Sequence, residues 1–113
     1  MAQLYFNPSC SKCRSAQSLL DEHRIDAQVV RYLDTPPTVS ELRELMRLLS
    51  IEDPRLMMRT GEPEYEELNL AEASRDELLK AIASHPKLLE RPIFVLDGRA
   101  VIARPPERLL ELL

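Results

Sequence analysis

No run of about 18 consecutive apolar residues, the length at which a membrane-spanning helix becomes plausible, occurs in this chain of 113 residues. The opening residues Met1-Ala2-Gln3-Leu4-Tyr5-Phe6 lack the basic stretch and long apolar core of an export leader, so a cytoplasmic location is expected. Basic charge is also in short supply. Fifteen Lys and Arg face nineteen Asp and Glu, a net charge of -4, which disfavours nucleic acid and anionic lipid as partners and restricts any anion site to a local basic cluster. There is no internal repeat and no low-complexity segment. Cysteine is limited to Cys10 and Cys13, and no second Cys-x-x-Cys accompanies them, as the four ligands of a structural zinc site would require. His23 and His85 are not at zinc-finger spacing from each other, so no metal is expected.

What remains is ordinary globular material, 44% apolar and 30% charged, at a length suited to one hydrophobic core. A single domain over residues 1–113 is expected. Gln3 to Phe6 has strand character and stops at Asn7-Pro8, since proline lacks the amide that a central strand needs. Ala16, Leu19, Leu20 and His23 share a helical face, giving a helix from Cys13 to His23 with Ser11 available as its cap. Ala27 to Tyr32 makes a second strand, closed by Asp34-Thr35-Pro36-Pro37. Thr38 or Ser40 caps a helix striped by Leu42, Leu45, Met46 and Leu49. Residues 50–72 hold Pro54, Gly61 and Pro63 among short apolar pairs, which predicts turns and brief helices.

Ser74 caps another helix through Leu78, Leu79 and Ile82, ending near His85 because Pro86 disfavours helical geometry just before it. Ile93–Leu96, Asp97-Gly98 and Arg99–Ala103 spell a hairpin. Pro105-Pro106 opens a last helix packed inward by Leu109, Leu110, Leu112 and Leu113. This order predicts an α/β, thioredoxin-like fold: a mixed four-stranded sheet flanked by helices, with an inserted helical segment. In that fold the loop after the first strand leads into the first helix, where Cys10-Ser11-Lys12-Cys13 lies.

A free thiol titrates near 8.5, and the thiolate is the nucleophile, so a reactive cysteine needs its pKa lowered. At the start of a helix Cys10 faces unpaired amides and the positive end of the dipole, with Lys12 and Arg14 nearby. The Pro8 turn and the helix start favour an exposed thiol over an inert core residue. Pro92, ahead of the third strand, is the position at which thioredoxin-like folds usually carry a cis proline against the active cysteine, which brings Arg91 near Cys10. Arg104 precedes Pro105 at the matching end of the fourth strand. Guanidinium forks beside a thiolate suit thiol attack on an oxyanion.

Tyr5-Phe6-Asn7-Pro8-Ser9-Cys10, Leu56-Met57-Met58-Arg59, His85 through Ile93 and Arg104-Pro105-Pro106-Glu107 together resemble the glutaredoxin-coupled arsenate reductases. The resemblance extends through Tyr32–Pro37 and Tyr65–Ala71 and so runs end to end. It implies that Cys10 attacks bound arsenate and loses water to form a covalent adduct, while Arg59, Arg91 and Arg104 clamp the oxyanion and Asn7 and Arg14 support the anion loop. Glutathione is the implied co-substrate, no cofactor is tightly bound, and glutaredoxin or thioredoxin is the protein partner. Two departures stand out. Phe6 takes the place of a histidine that helps depress the cysteine pKa in better-known members, and Cys13 takes the place of a residue without a thiol. A resolving thiol therefore lies within disulfide reach of Cys10, and an intramolecular disulfide is expected on oxidation.

Two other classes are compatible with a Cys-x-x-Cys on this fold. One resembles the Spx-like regulators that bind RNA polymerase, which have no evident need of both Arg91 and Arg104. The other is a general dithiol oxidoreductase acting on protein disulfides, which Cys13 favours.

Overall fold

The computed structural model describes residues 2–113, and the chain divides into two compact units: Met1–Thr35 with Arg91–Leu113, and Pro36–Glu90. The strands found among the described residues all belong to the first unit. They are β1 (Ala2–Tyr5), β2 (Gln28–Val30), β3 (Ile93–Leu96) and β4 (Arg99–Ile102), in the sheet order β2-β1-β3-β4. β1 runs parallel to β2, and a parallel pair needs a crossover, which α1 (Ser11–Glu22) supplies. The β1–β3 and β3–β4 pairs are antiparallel. This is the mixed four-stranded sheet that the order of elements predicts.

Register explains where the core sits. Leu4 pairs with Phe94 and Phe94 with Val101, so one row of apolar side chains crosses three strands. That row packs with Ala16 and Leu20 of α1 and with Leu109 near the C-terminus. Each fully buried side chain of this size contributes about 1.5–3 kcal/mol, which fixes α1, and therefore its N-terminus, over the sheet. The β3–β4 turn has positive φ at both central residues, 46° at Asp97 and 85° at Gly98, the primed geometry whose twist matches the flanking strands.

Several boundaries differ from the sequence expectation. α1 starts two residues earlier than Cys13, because the Cys10 N–H donates to the Asn7 carbonyl (3.0 Å) and closes a tight turn that leaves Cys10, not Ser11, at the cap. β2 is shorter than Ala27–Tyr32, since the Tyr32 N–H turns back to the Val30 carbonyl and the amides of Asp34 and Thr35 both donate to the Arg31 carbonyl. The last helix is a 3₁₀ segment, Pro106–Leu112. It buries Leu109 and packs Leu112 against the core, whereas Leu110 and Leu113 are exposed.

The second unit is built from helices. Thr38 and Glu41 form a reciprocal capping box on α2 (Val39–Leu49), and Ser74 and Glu77 do the same on α4 (Arg75–Ser84). Leu42, Leu45 and Met46 of α2 are buried, as are Leu78, Leu79 and Ile82 of α4. Between them lie a 3₁₀ turn (Pro54–Met57), the short α3 (Pro63–Glu67) and a 3₁₀ turn (Leu70–Glu72), the brief elements that the prolines predict.

Arg55 ties this irregular stretch together. Its Nη2 donates to the carbonyls of Leu70 (2.8 Å), Ala71 (3.1 Å) and Ala73 (3.0 Å), and its Nε donates to the Tyr65 hydroxyl (3.1 Å). Met58 and Leu89 form an isolated antiparallel bridge, flanked by bonds from the Arg59 amide to the Leu88 carbonyl and from the Glu90 amide to the Met57 carbonyl. Among the described residues no helix is long and apolar enough to cross a membrane.

Candidate active site

The site begins with the way the chain leaves β1. The Asn7 side chain accepts from the Ser9 amide (3.0 Å), and its carbonyl accepts from the Cys10 amide (3.0 Å), so the loop folds over a residue whose short polar side chain holds turns by itself. Arg14, one turn into α1, returns to this loop and donates to the Pro8 carbonyl (2.8 Å). Asn7 and Arg14 thus support the loop through backbone contacts.

Cys10 occupies the N-cap of α1 with extended backbone angles, φ -99° and ψ 119°. It is 7% exposed, so the sequence expectation of an exposed thiol is corrected: the sulfur lies over the first helical turn, among Cys13, the Lys12 amide and Arg91, instead of projecting into solvent. Burial alone raises its pKa. The Cys13 amide, the Cys13 thiol, the Arg91 guanidinium and the Lys12 amide oppose that effect and together outweigh it, holding the Cys10 thiol below its ordinary value. Lys12 acts through its backbone amide, and the cation whose charge bears on the sulfur is Arg91.

Cys13, at the third position of the same helix, is fully buried, and its pKa is pushed up to about 12. Burial is the main cause, opposed by the Asn7 amide and reinforced by the hydrogen bond to Cys10 and by the Cys10 charge, while Arg91 acts in the lowering direction. The two thiols are therefore pushed in opposite directions, the one at the cap toward the anion and the one beneath it toward the neutral donor. Both are reduced. Phe6, which cannot assist ionisation, is half-buried and packs against the sheet core, and the Cys13 thiol supplies the side-chain hydrogen bond to Cys10.

The basic residues are positioned by the hairpin. Both Arg91-Pro92 and Arg104-Pro105 are cis, the first as the fold predicts and the second not foreseen from sequence. The ladder of β3 and β4 continues past Ile93↔Ile102 with the Ala103 amide donating to the Pro92 carbonyl (2.9 Å), which places Arg91 and Arg104 side by side. Arg104 Nη1 donates to the Arg91 carbonyl (3.0 Å). Cys10, Cys13, Asn7, Arg14, Arg91, Pro92 and Arg104 therefore all fall in the unit that holds the sheet. Arg59 belongs to the second unit, where its guanidinium pairs with Glu62, three residues on. Its assignment to an oxyanion rests on the resemblance. Among the described residues no three His, Cys, Asp or Glu side chains converge as they would around a metal ion.

The first-turn amides face Cys10 as a helix start predicts, through Cys13 and Lys12, whereas the contribution of the Cys13 thiol was not legible beforehand, although the three-residue spacing is the signal that carries it. The model of the ArsC family matches residues 5–112. The chain belongs to the ArsC family. An arsenate reductase of Neisseria meningitidis serogroup B is 48% identical over 109 residues, covering 95% of this chain and 93% of that protein. YfgD of Escherichia coli K12, an uncharacterized protein, is 46% identical over 112 residues, covering 97% and 94%. The solved arsenate reductase of Vibrio cholerae superposes with a TM-score of 0.96 at 47% identity, covering 99% of this chain and 97% of that one. Full-length agreement of this kind makes the thioredoxin-like fold of the ArsC family the fold of this chain.

Proposed function

We propose that this protein reduces arsenate to arsenite, with the Cys10 thiolate attacking the bound oxyanion. The observation that carries this reading is a thiol at the cap of α1 held below its ordinary pKa and faced by Arg91, in a chain that is 48% identical to an arsenate reductase along nearly its whole length. The reaction needs an anionic sulfur, a cation to hold the tetrahedral oxyanion against it, and a second thiol to release arsenic in the +3 state. Cys10 meets the first need and Arg91 the second, with Arg104 bracing the Arg91 backbone. Asn7 and Arg14 keep the loop in place so that the sulfur stays on the amides of α1.

The second thiol is either external, glutathione in company with glutaredoxin or thioredoxin, or Cys13. Glutathione is a co-substrate in this reading, which suits a reducing cytoplasm, and no tightly bound cofactor takes part. A coupled assay tests it: arsenate-dependent NADPH oxidation with glutathione, glutathione reductase and glutaredoxin, repeated with thioredoxin and its reductase. A rate that disappears in Cys10→Ser is expected. No rate with either donor set would overturn the reading in favour of a protein-disulfide oxidoreductase or an Spx-like regulator.

A further inference from the structure

We infer that Cys13 is the resolving nucleophile of this reaction, attacking the Cys10 sulfur of the arsenylated enzyme to expel arsenite and leave a Cys10–Cys13 disulfide. The inference rests on the arsenate-reductase reading and goes beyond it by naming the group that breaks the sulfur–arsenic bond. Its geometric basis is the first turn of α1. The cap and third positions lie on one helical face, one turn apart, and the two sulfurs are hydrogen-bonded to each other. Cys13 is fully buried, so an external thiol has no direct path to it, whereas Cys10 is in contact with it already.

The resting state of Cys13 agrees with a nucleophile that is inactive until needed. Two of the influences that keep its proton in place, the hydrogen bond to Cys10 and the Cys10 charge, depend on the Cys10 thiolate. Once that sulfur is bonded to arsenic it is itself neutral, and the negative charge sits farther out, on the arsenic oxygens. The Asn7 amide and Arg91, which favour the Cys13 anion, remain. Adduct formation thus removes the sulfur-centred charge from beside the Cys13 thiol and turns the Cys10 sulfur from a nucleophile into an electrophile that Cys13 can attack.

The steps balance. The Cys10 thiolate, dihydrogen arsenate and one proton give the sulfur–arsenic adduct and one water. Cys13 then forms the sulfur–sulfur bond as the sulfur–arsenic bond breaks. Its electron pair passes to arsenic, which goes from +5 to +3, and the Cys13 proton leaves with the arsenite. The two thiols lose two electrons and arsenic gains them. An external thiol or dithiol protein afterwards reduces the disulfide.

A single-turnover experiment on the full chain decides the matter. Reduced protein, freed of small thiols, is mixed with excess arsenate; arsenite is quantified by chromatographic speciation and the protein by intact mass. One arsenite per chain together with the loss of two hydrogen masses supports the inference. Cys13→Ser, which preserves size in the buried position, is expected to release no arsenite under these conditions and to carry the arsenic adduct instead. Wild type that releases no arsenite until glutathione is added overturns the inference and leaves the reductase reading standing. Wild type that forms no arsenite even with glutathione and glutaredoxin overturns the reductase reading itself. The wild-type mass shift carries the test even if the variant does not fold.

Discussion

The chain has two glycines, and they make a matched pair for testing how the hairpin is held. A Cβ added at Gly61 or at Gly98 would meet no atom within 4 Å, so neither replacement by alanine is opposed by packing. They differ in backbone. Gly98 has φ +85°, where an L side chain is strained by about 1–2 kcal/mol, and Gly61 has no such angle. Gly98→Ala should therefore cost about 1–2 kcal/mol, lowering Tm by about 4–12 °C for a chain of this size. Gly61→Ala should lie within about 0.5 kcal/mol of wild type or gain up to about 1 kcal/mol from a stiffer unfolded chain. Urea unfolding with a common m-value, and calorimetry on the same samples, measure both. The turn is at the far end of β3 and β4 from Arg91 and Arg104, so folded Gly98→Ala should keep the wild-type rate of Cys10 alkylation. Equal stabilities for the two variants would refute the assignment of a primed turn at Asp97-Gly98.

Three further outcomes follow from the same geometry. Arg55→Ala removes donors from three carbonyls at once and should cost about 1–3 kcal/mol by urea unfolding; a change below about 0.5 kcal/mol would mean that the stretch from Asp53 to Ala73 holds together without it. Iodoacetamide near neutral pH should modify one thiol per chain, mapped to Cys10, because Cys13 is buried and protonated, and Arg91→Met should slow that reaction; equal labelling of both cysteines in native protein would contradict the division between them. The two thiols should also bend the pH dependence of stability in opposite senses. Cys10, depressed in the folded state, adds stability that is present above its unfolded value near 8.5 and is lost as pH falls through its folded value. Cys13 keeps its proton to about 12 when folded, so above about 8.5 the unfolded state binds fewer protons and stability falls with pH by up to about 1.4 kcal/mol per unit. Cys13→Ser should remove that alkaline loss in urea titrations across the range, and an unchanged slope would contradict the buried protonated thiol.

Most of the fold was legible because the strong signals are local. The Asp97-Gly98 turn, the capping boxes at Thr38 and Ser74, and Pro8 after β1 each act over a few residues, and each element lies where those signals place it. The boundaries that shifted depend on particular backbone bonds. The Cys10 amide closing onto Asn7 moves the start of α1, and the Arg31 carbonyl taking two amides ends β2 early; neither leaves a mark in side-chain pattern. The role of Arg55 leaves no mark for a related reason, since three of its partners are carbonyls 15 to 18 residues away and carbonyls carry no sequence signature. Cys10 was found from its place at a helix start, but its burial was not, because exposure of a cap residue depends on how its neighbours pack. The juxtaposition of Arg91 and Arg104 follows from hairpin register once the turn is known.

The most direct test of the whole account is the yield of arsenite from arsenate, measured by speciation in the presence of glutathione and glutaredoxin, for wild type beside Cys10→Ser. The account predicts repeated turnover by wild type and no arsenite above the protein-free control for the variant. Arsenite formed at the wild-type rate without the Cys10 sulfur would contradict it.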